Sequence, residues 1–402
     1  MSPSGVRRSR LGLYVDVAYR AQRLPGGGCR LHVHPDASGF LRFAAEVGES
    51  ARTLTVFGRA SDRPLDAEQV LPASIGLVAL PHYGSLRDLR AVAGGVAGTV
   101  RAMWRGLAGV DAVWVFGPHP FAIVLVLLAL LRRRRVVLGI RQDTMAYFRS
   151  RLPGRRWLPL MPGLAAVDAA FRLLGRRLPV TAVGDGIARR YGAPRPNVLA
   201  MTVTLMRAAD IASAPSAERR EGPLGLLTVG RIEPEKHPLL LVDALARLEA
   251  DRPGAYRLTW AGTGRMEGAV RARAAELGIA HLLQLPGFVS FGPELWRLYR
   301  GADMLVHVAL TEGVPQVLGE AMACATPIVA TDVGGVRTAL GDGAAGVLVA
   351  PDDLGALVDA ICRMTDDDAL RRRCVEHGLV LASNASLEAE STRVARFVLG
   401  SP

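Results

Sequence analysis

The chain has 402 residues, half of them hydrophobic, and a formal net charge of +12, which is too long for one ordinary core and implies two domains. The charge is uneven: residues 1–210 hold 30 Arg against 13 acidic residues (+17), and residues 211–402 hold 19 basic against 24 acidic (−5). A basic front half suggests an anionic partner, but scattered basic residues, sparse aromatics and the lack of any binding motif argue against nucleic acid.

Short β-branched runs alternate with amphipathic stretches, the pattern of βαβ units and parallel sheets. In the front half, strands are expected at Leu11–Val17, Thr53–Phe57, Ile75–Leu80, Ala112–Phe116, Val136–Ile140 and Val180–Val183. Helices are expected near Phe40–Val47, Leu86–Gly106, Phe121–Leu131 and Leu164–Leu174. The apolar run Phe121–Leu131 is 11 residues long, and a spanning helix needs about 20. It reads as a buried helix whose basic end, Arg132–Arg135, can meet anionic lipid headgroups.

A segment rich in Ala, Ser, Pro and charge, 208–223, reads as a linker between a first domain, 1–207, and a second, 224–384. Strands follow at Leu224–Val229, Arg257–Ala261, Leu282–Leu285, Met304–Val308, Pro327–Ala330 and Gly346–Val349. Helices follow at Pro238–Glu249, Met266–Leu277, Pro293–Tyr299, Pro315–Ala323 and Leu354–Met364. A last helix near Leu387–Leu399 lies in a C-terminal segment, 385–402, expected to cross back to the first domain. The fold class is therefore α/β, with two Rossmann-like parallel-sheet domains expected to face a cleft lined by loops at strand C-termini.

Cys29, Cys324, Cys362 and Cys374 share no metal-ligand spacing and read as free thiols of a reducing compartment. His32 and His34 alternate in a strand-like run and make no metal site. No long apolar stretch follows Arg7, Arg8 and Arg10, so no signal peptide is expected.

Three loops of the back half carry chemistry. In "GRIEPEK", Arg231 and Lys236 are placed to converge on one anion beyond Gly230. Lys236 is the only lysine among 49 basic residues. In "WAGTGRMEG", Gly262 and Gly264 leave a strand and enter a helix, letting backbone approach a ligand. In "TEGVPQVLGEAMACATPIVATDVGG", Glu312 ends a strand and Pro315 fits a first helical turn. The amides of Gln316 and Val317 suit a phosphate, and Glu320 lies further along the same helix. Two carboxylates beside an anion site make sense as acceptors for sugar hydroxyls.

This set resembles the donor half of the retaining family 4 glycosyltransferases of the GT-B fold. The likeness rests on Gly230-Arg231 with Lys236, on Gly262-x-Gly264, and on Glu312-x7-Glu320 followed by "AMACATPIVATDVGG", and it covers roughly 224–350. It implies that Arg231 and Lys236 neutralise a sugar-nucleotide diphosphate. Glu312 would hold donor-sugar hydroxyls and Glu320 the ribose. The Gly262–Gly264 turn and Phe288 of "PGFV" would lie near phosphate and base, with Gly230, Gly313 and Val314 among the donor-binding residues. It further implies retention at the anomeric carbon, electrostatic catalysis, no cofactor and no essential metal. The sequence has no Asp-x-Asp at a strand end; "TDDD" at Thr365–Asp368 reads as helix-terminal surface.

The front half resembles the family's acceptor domain in architecture alone. The family often carries a histidine after its fourth strand, and His119 of "WVFGPHPF" is the candidate here, displaced by a few residues. Met201–Arg207 departs from the usual Asn-Gly turn, and Ala325 stands where Gly is common. Arg141, Gln142, Asp143, Asp16 and the loop Arg23–Arg30 are further candidates for contact with acceptor or donor. The expected partners are a sugar nucleotide, a saccharide, lipid-linked or small-molecule acceptor, and an anionic membrane surface; the expected location is cytoplasmic, at the inner membrane face. The rival readings are a sugar-nucleotide epimerase of the same fold and a non-catalytic partner protein.

Overall fold

The structure is a computed structural model describing residues 9–23, 29–61, 69–82, 89–141, 161–214 and 222–400. The chain divides into two compact units, Met1–Leu205 with Leu387–Pro402, and Met206–Ser386.

The first unit is built on a nine-stranded sheet. Its strands are β1 (Arg10–Arg23), β2 (Cys29–Val33), β3 (Thr53–Ser61), β4 (Gln69–Val70), β5 (Ile75–Leu80), β6 (Ala112–Gly117), β7 (Arg135–Ile140), β8 (Val180–Val183) and β9 (Val198–Met201). The first half of β1 lies between β3 and β6, and the parallel core runs β5-β3-β1-β6-β7-β8-β9. Beyond a register shift between Tyr14 and Ala18, β1 continues and pairs antiparallel with β2, which pairs antiparallel with β4. The sheet is therefore parallel through its core and mixed at this corner. β2 showed in the sequence only as the strand-like run around His32, and the two-residue β4 carries too little pattern to announce a strand.

Both faces of the parallel core are covered, which is why β6 and β7 read as near-continuous apolar runs. Trp114 and Phe116 pack with Phe40 of the helix Pro35–Glu49 on one face. Leu125, Val126 and Ala129 of the helix Pro120–Leu131 are buried with Val113 and Val115 on the other. The C-terminal helix Leu387–Leu399 packs on Pro35–Glu49 within this unit. Glu390 there accepts from the Thr202 backbone at 3.2 Å, and Arg135 donates to the Val398 carbonyl at 2.9 Å.

The second unit holds a six-stranded, wholly parallel sheet: β10 (Leu224–Val229), β11 (Tyr256–Ala261), β12 (Leu283–Gly287), β13 (Met304–His307), β14 (Ile328–Thr331) and β15 (Val347–Val349). Their order is β12-β11-β10-β13-β14-β15. The chain winds outward from β10 to β12, then returns to β13 beside β10. The loops after β10 and β13 therefore flank the point where the winding reverses, the place where doubly wound sheets take ligands.

The helix Pro238–Asp251 buries Leu240, Leu241, Val242, Ala244, Leu245 and Leu248. The helix Asp368–Asn384 was not expected. Its buried stripe is Cys374, Val375, Gly378 and Ala382 on an otherwise charged surface, too small and too sparsely apolar to announce itself. Asp367, in the "TDDD" stretch, caps it by accepting from Leu370 N at 2.8 Å. Among the described residues no helix is long and apolar enough to cross a membrane.

Candidate functional site

The loops that leave β10 and β13 are joined by charge. The Lys236 ammonium is paired with Glu312 Oε1, and His307 Nε2 stands 3.1 Å from the same oxygen. The Leu310 amide donates to the Glu235 carbonyl at 2.9 Å, a second link between the two loops. Glu312 and His307 have side chains only 12% and 3% exposed. Burial pushes the Glu312 carboxyl up, but the neighbouring His307 ring and the charge of Lys236 outweigh it and hold it at about 2. The site therefore keeps an ionised, largely desolvated carboxylate bonded to Lys236 and faced by the His307 ring.

His307 was missed in the sequence. It is the last residue of a fully buried strand, "MLVH", and a lone histidine there gives no cue. Only the pairing of β13 with β10 and β14 aims its ring at the following loop. The Ala309 backbone beyond it is clamped by Thr331, whose hydroxyl both accepts from Ala309 N and donates to Ala309 O at 2.9 Å.

Arg231 is placed differently from Lys236. Its guanidinium is half exposed and bonds Glu235 at 3.1 Å, so both cations of the loop are held by carboxylates rather than aimed jointly at one point. His237 closes the loop in the left-handed region, φ 44°, with Nε2 3.0 Å from Asp352.

The glycines act in a way the sequence did not suggest. A Cβ on Gly262 would lie 1.9 Å from the Gly230 carbonyl oxygen, and one on Gly264 would lie 2.3 Å from the Ile232 carbonyl oxygen. Their bareness lets the loops after β10 and β11 touch backbone to backbone. Gly262 N also donates to Gly287 O at 2.8 Å, which ties in the end of β12 beside Phe288, 63% exposed. The Gly334–Gly335 turn supports the third loop likewise. Gly335 N donates to Gly313 O at 2.8 Å, and a Cβ on Gly334 would meet the Glu312 carbonyl at 1.9 Å.

Pro315 was expected in the first helical turn; it is the N-cap, with extended backbone, of the helix Gln316–Ala323. No side chain caps that end, so Gln316 and Val317 begin the helix with amides of the kind that attract anions. Gly313 and Val314 connect it to Glu312. Glu320 is buried on the inner side of the helix and accepts from the Tyr299 hydroxyl at 2.7 Å. Burial raises its carboxyl to about 7, only partly countered by that bond. Ala325 ends the helix at φ 57°, a conformation that favours glycine, so its methyl stands in a strained backbone position.

In the first unit, His119 caps the helix Pro120–Leu131, its Nδ1 3.3 Å from Phe121 N and 3.1 Å from the Tyr14 hydroxyl. Its Nε2 lies 3.4 Å from Asp16, which also takes Arg59 Nε at 2.9 Å. Burial lowers the His119 pKa, against the pull of Asp16. His119 and Asp16, nominated separately, thus form one cluster. Arg141 stacks on Phe40 at 4.5 Å. Gln142, Asp143 and residues 24–28 of the Arg23–Arg30 loop lie outside the described residues.

A family model described as "Glycosyl transferases group 1" matches residues 211–379. The D-inositol 3-phosphate glycosyltransferase of Thermomonospora curvata is 37% identical over 175 residues, 40% of each chain. That of Frankia alni is 40% identical over 164 residues, 38% of this chain and 39% of its own. The chain thus spans about two fifths of the length of the curated relatives it matches. Among solved structures, WaaG, a glycosyltransferase involved in lipopolysaccharide biosynthesis, superposes with a TM-score of 0.67 at 16% identity, covering 97% of this chain and all of that one. Anabaena HepE in complex with UDP also gives 0.67 at 16% identity, covering 96% and 98%. The fold is that of these glycosyltransferases, and the second unit is similar in sequence to group 1.

Proposed function

We propose that the chain transfers a glycosyl group from a nucleoside-diphosphate sugar to an acceptor hydroxyl with retention of configuration, in the manner of family 4. The observation that carries this reading is the Lys236–Glu312–His307 cluster at the winding reversal of the second sheet, beside the uncapped start of Gln316–Ala323. In the proposed reaction Glu312 accepts hydrogen bonds from donor-sugar hydroxyls, and Glu320 accepts those of the ribose. Lys236 and Arg231 stabilise the diphosphate as it leaves, with the Gln316 and Val317 amides adding partial positive charge. When Lys236 turns towards phosphate, His307 keeps Glu312 partnered. The bond from the anomeric carbon to the diphosphate breaks, the bond to the acceptor oxygen forms on the same face, and the hydroxyl proton leaves with the diphosphate or a neighbouring base. The reading calls for no cofactor, since the nucleotide sugar is the substrate. Its place in cell-envelope polysaccharide or glycolipid synthesis is supported by the basic first half.

The test is nucleoside-diphosphate release from UDP-, GDP-, ADP- and dTDP-sugars, with inositol phosphate and lipid-linked saccharides as acceptors. Release from one donor class, lost in Lys236→Ala and Glu312→Ala, is the expected result. Conversion of donor to an epimer without acceptor would move the reading to an epimerase. Absence of both release and thermal stabilisation by any sugar nucleotide would refute it.

A further inference from the structure

The helix Pro120–Leu131, "PFAIVLVLLALL", carries no charged residue, yet only one side of it is covered. Leu127 and Leu130 are exposed, and Leu131 is 73% exposed. The helix Leu89–Gly106 packs beside it and adds exposed Val96 and Trp104. The two are stitched at one end, where the Arg132 guanidinium lies 4.0 Å above the Trp104 ring. An aliphatic face of this kind on a soluble chain needs an occupant.

The charges around it say which. Residues 89–135 contain seven arginines and one carboxylate, Asp111. Asp111 is already taken by Arg10 at 2.9 Å, with Arg134 3.9 Å away. Arg101 and Arg105 are exposed on the neighbouring helix, and Arg133 is exposed two residues beyond Leu131. A second copy of the chain on this face would bring arginine against arginine. Leucines set among arginines, with a tryptophan stacked at the boundary, match an anionic bilayer, which takes aliphatic side chains below its headgroups and cations among them. The helix is too short to span, so it would lie on the surface.

We propose that this face of the first unit docks on anionic lipid, with Leu127, Leu130, Leu131 and Trp104 in the headgroup zone and Arg101, Arg105, Arg132 and Arg133 on lipid phosphates. The inference goes beyond the donor reading and does not depend on it. The experiment is co-sedimentation of the full chain with vesicles of phosphatidylcholine, with and without a minor fraction of phosphatidylglycerol. The protein should sediment with the anionic vesicles alone and be released by high salt. The Leu127→Glu/Leu131→Glu variant should lose binding, and Arg133→Ser should weaken it about fivefold. Both should keep the parent's unfolding temperature, and their nucleoside-diphosphate release from soluble donors should be unchanged. A parent chain that stays in the supernatant with anionic vesicles overturns the proposal. So does a double-glutamate variant that sediments like the parent. A concentration-dependent dimer dissolved by the same substitutions would assign the face to a second copy and equally overturn it.

Discussion

Replacing Glu312 by Gln keeps the shape of the side chain and removes its charge. Glu312 titrates at about 2 in the fold against an ordinary 4.5. At about 1.4 kcal/mol per pH unit, that gap is worth about 3 kcal/mol. Because the folded value lies below the unfolded one, this stability is complete above pH 4.5 and is lost as the pH falls towards 2. Between neutral pH and pH 3 the protein should surrender about 2 kcal/mol of it. Urea unfolding of parent and Glu312→Gln across that range measures the difference directly. The parent's advantage should shrink by that amount as acid is added. Lys236→Met removes the charge that holds the carboxylate down and leaves His307 alone beside it. That variant should unfold about 1–3 kcal/mol more easily at neutral pH, with its acid transition moved upward. If parent and Glu312→Gln lose stability in parallel from neutral pH to pH 3, the carboxylate is not held by this cluster and the reasoning fails.

Glu320 should show the opposite sign. Burial raises it to about 7, so between 4.5 and 7 the fold keeps a proton that the unfolded chain has released. Its contribution to stability therefore falls as the pH rises through that window. Glu320→Gln can still accept from Tyr299 and should be more stable than the parent at pH 8 by on the order of 2 kcal/mol; a variant less stable there would contradict the assignment. Gly262→Ala places a methyl 1.9 Å from a backbone oxygen that no rotamer change can move. It should cost about 3 kcal/mol or more, read as a fall in melting temperature, and an unchanged melting point would show that the loops can part.

The second sheet was legible because its parallel strands are short, mainly apolar runs, several followed by a Gly- or Pro-marked loop. β10 matches its expected bounds, and the other five strands shift by one or two residues at one end or both. The candidate site residues were nominated from a family pattern, which says nothing of their geometry. Sequence spacing set Arg231 and Lys236 on one anion, whereas Glu235 lies within reach of Arg231 and takes it. Spacing also says nothing about which glycine faces which carbonyl. That depends on strand register, such as Ala261 opposite Gly287 across a bulge. His307 was invisible for the same reason, because its partner is set by how β13 is placed and not by its neighbours in the chain. In the first unit, the corner of β1, β2 and β4 was hidden by a register shift inside a strand that reads as one run.

The solitary lysine can now be weighed against the arginines around it. Where this chain needs a forked grip it uses arginine. Arg10 takes both oxygens of Asp111 at 3.1 and 2.9 Å, and Arg252 both oxygens of Asp366 at 2.8 and 2.6 Å. Position 236 asks for something else. Its partner is a single oxygen, Oε1 of Glu312, which His307 also approaches at 3.1 Å. A planar guanidinium matches two parallel acceptors and would compete with the imidazole for that crowded edge. An ammonium is a compact point charge with three donors. It can stay on the shared oxygen and still turn the other two towards an arriving anion. The chemistry of the partner, one oxygen already half occupied, is what arginine would serve poorly here.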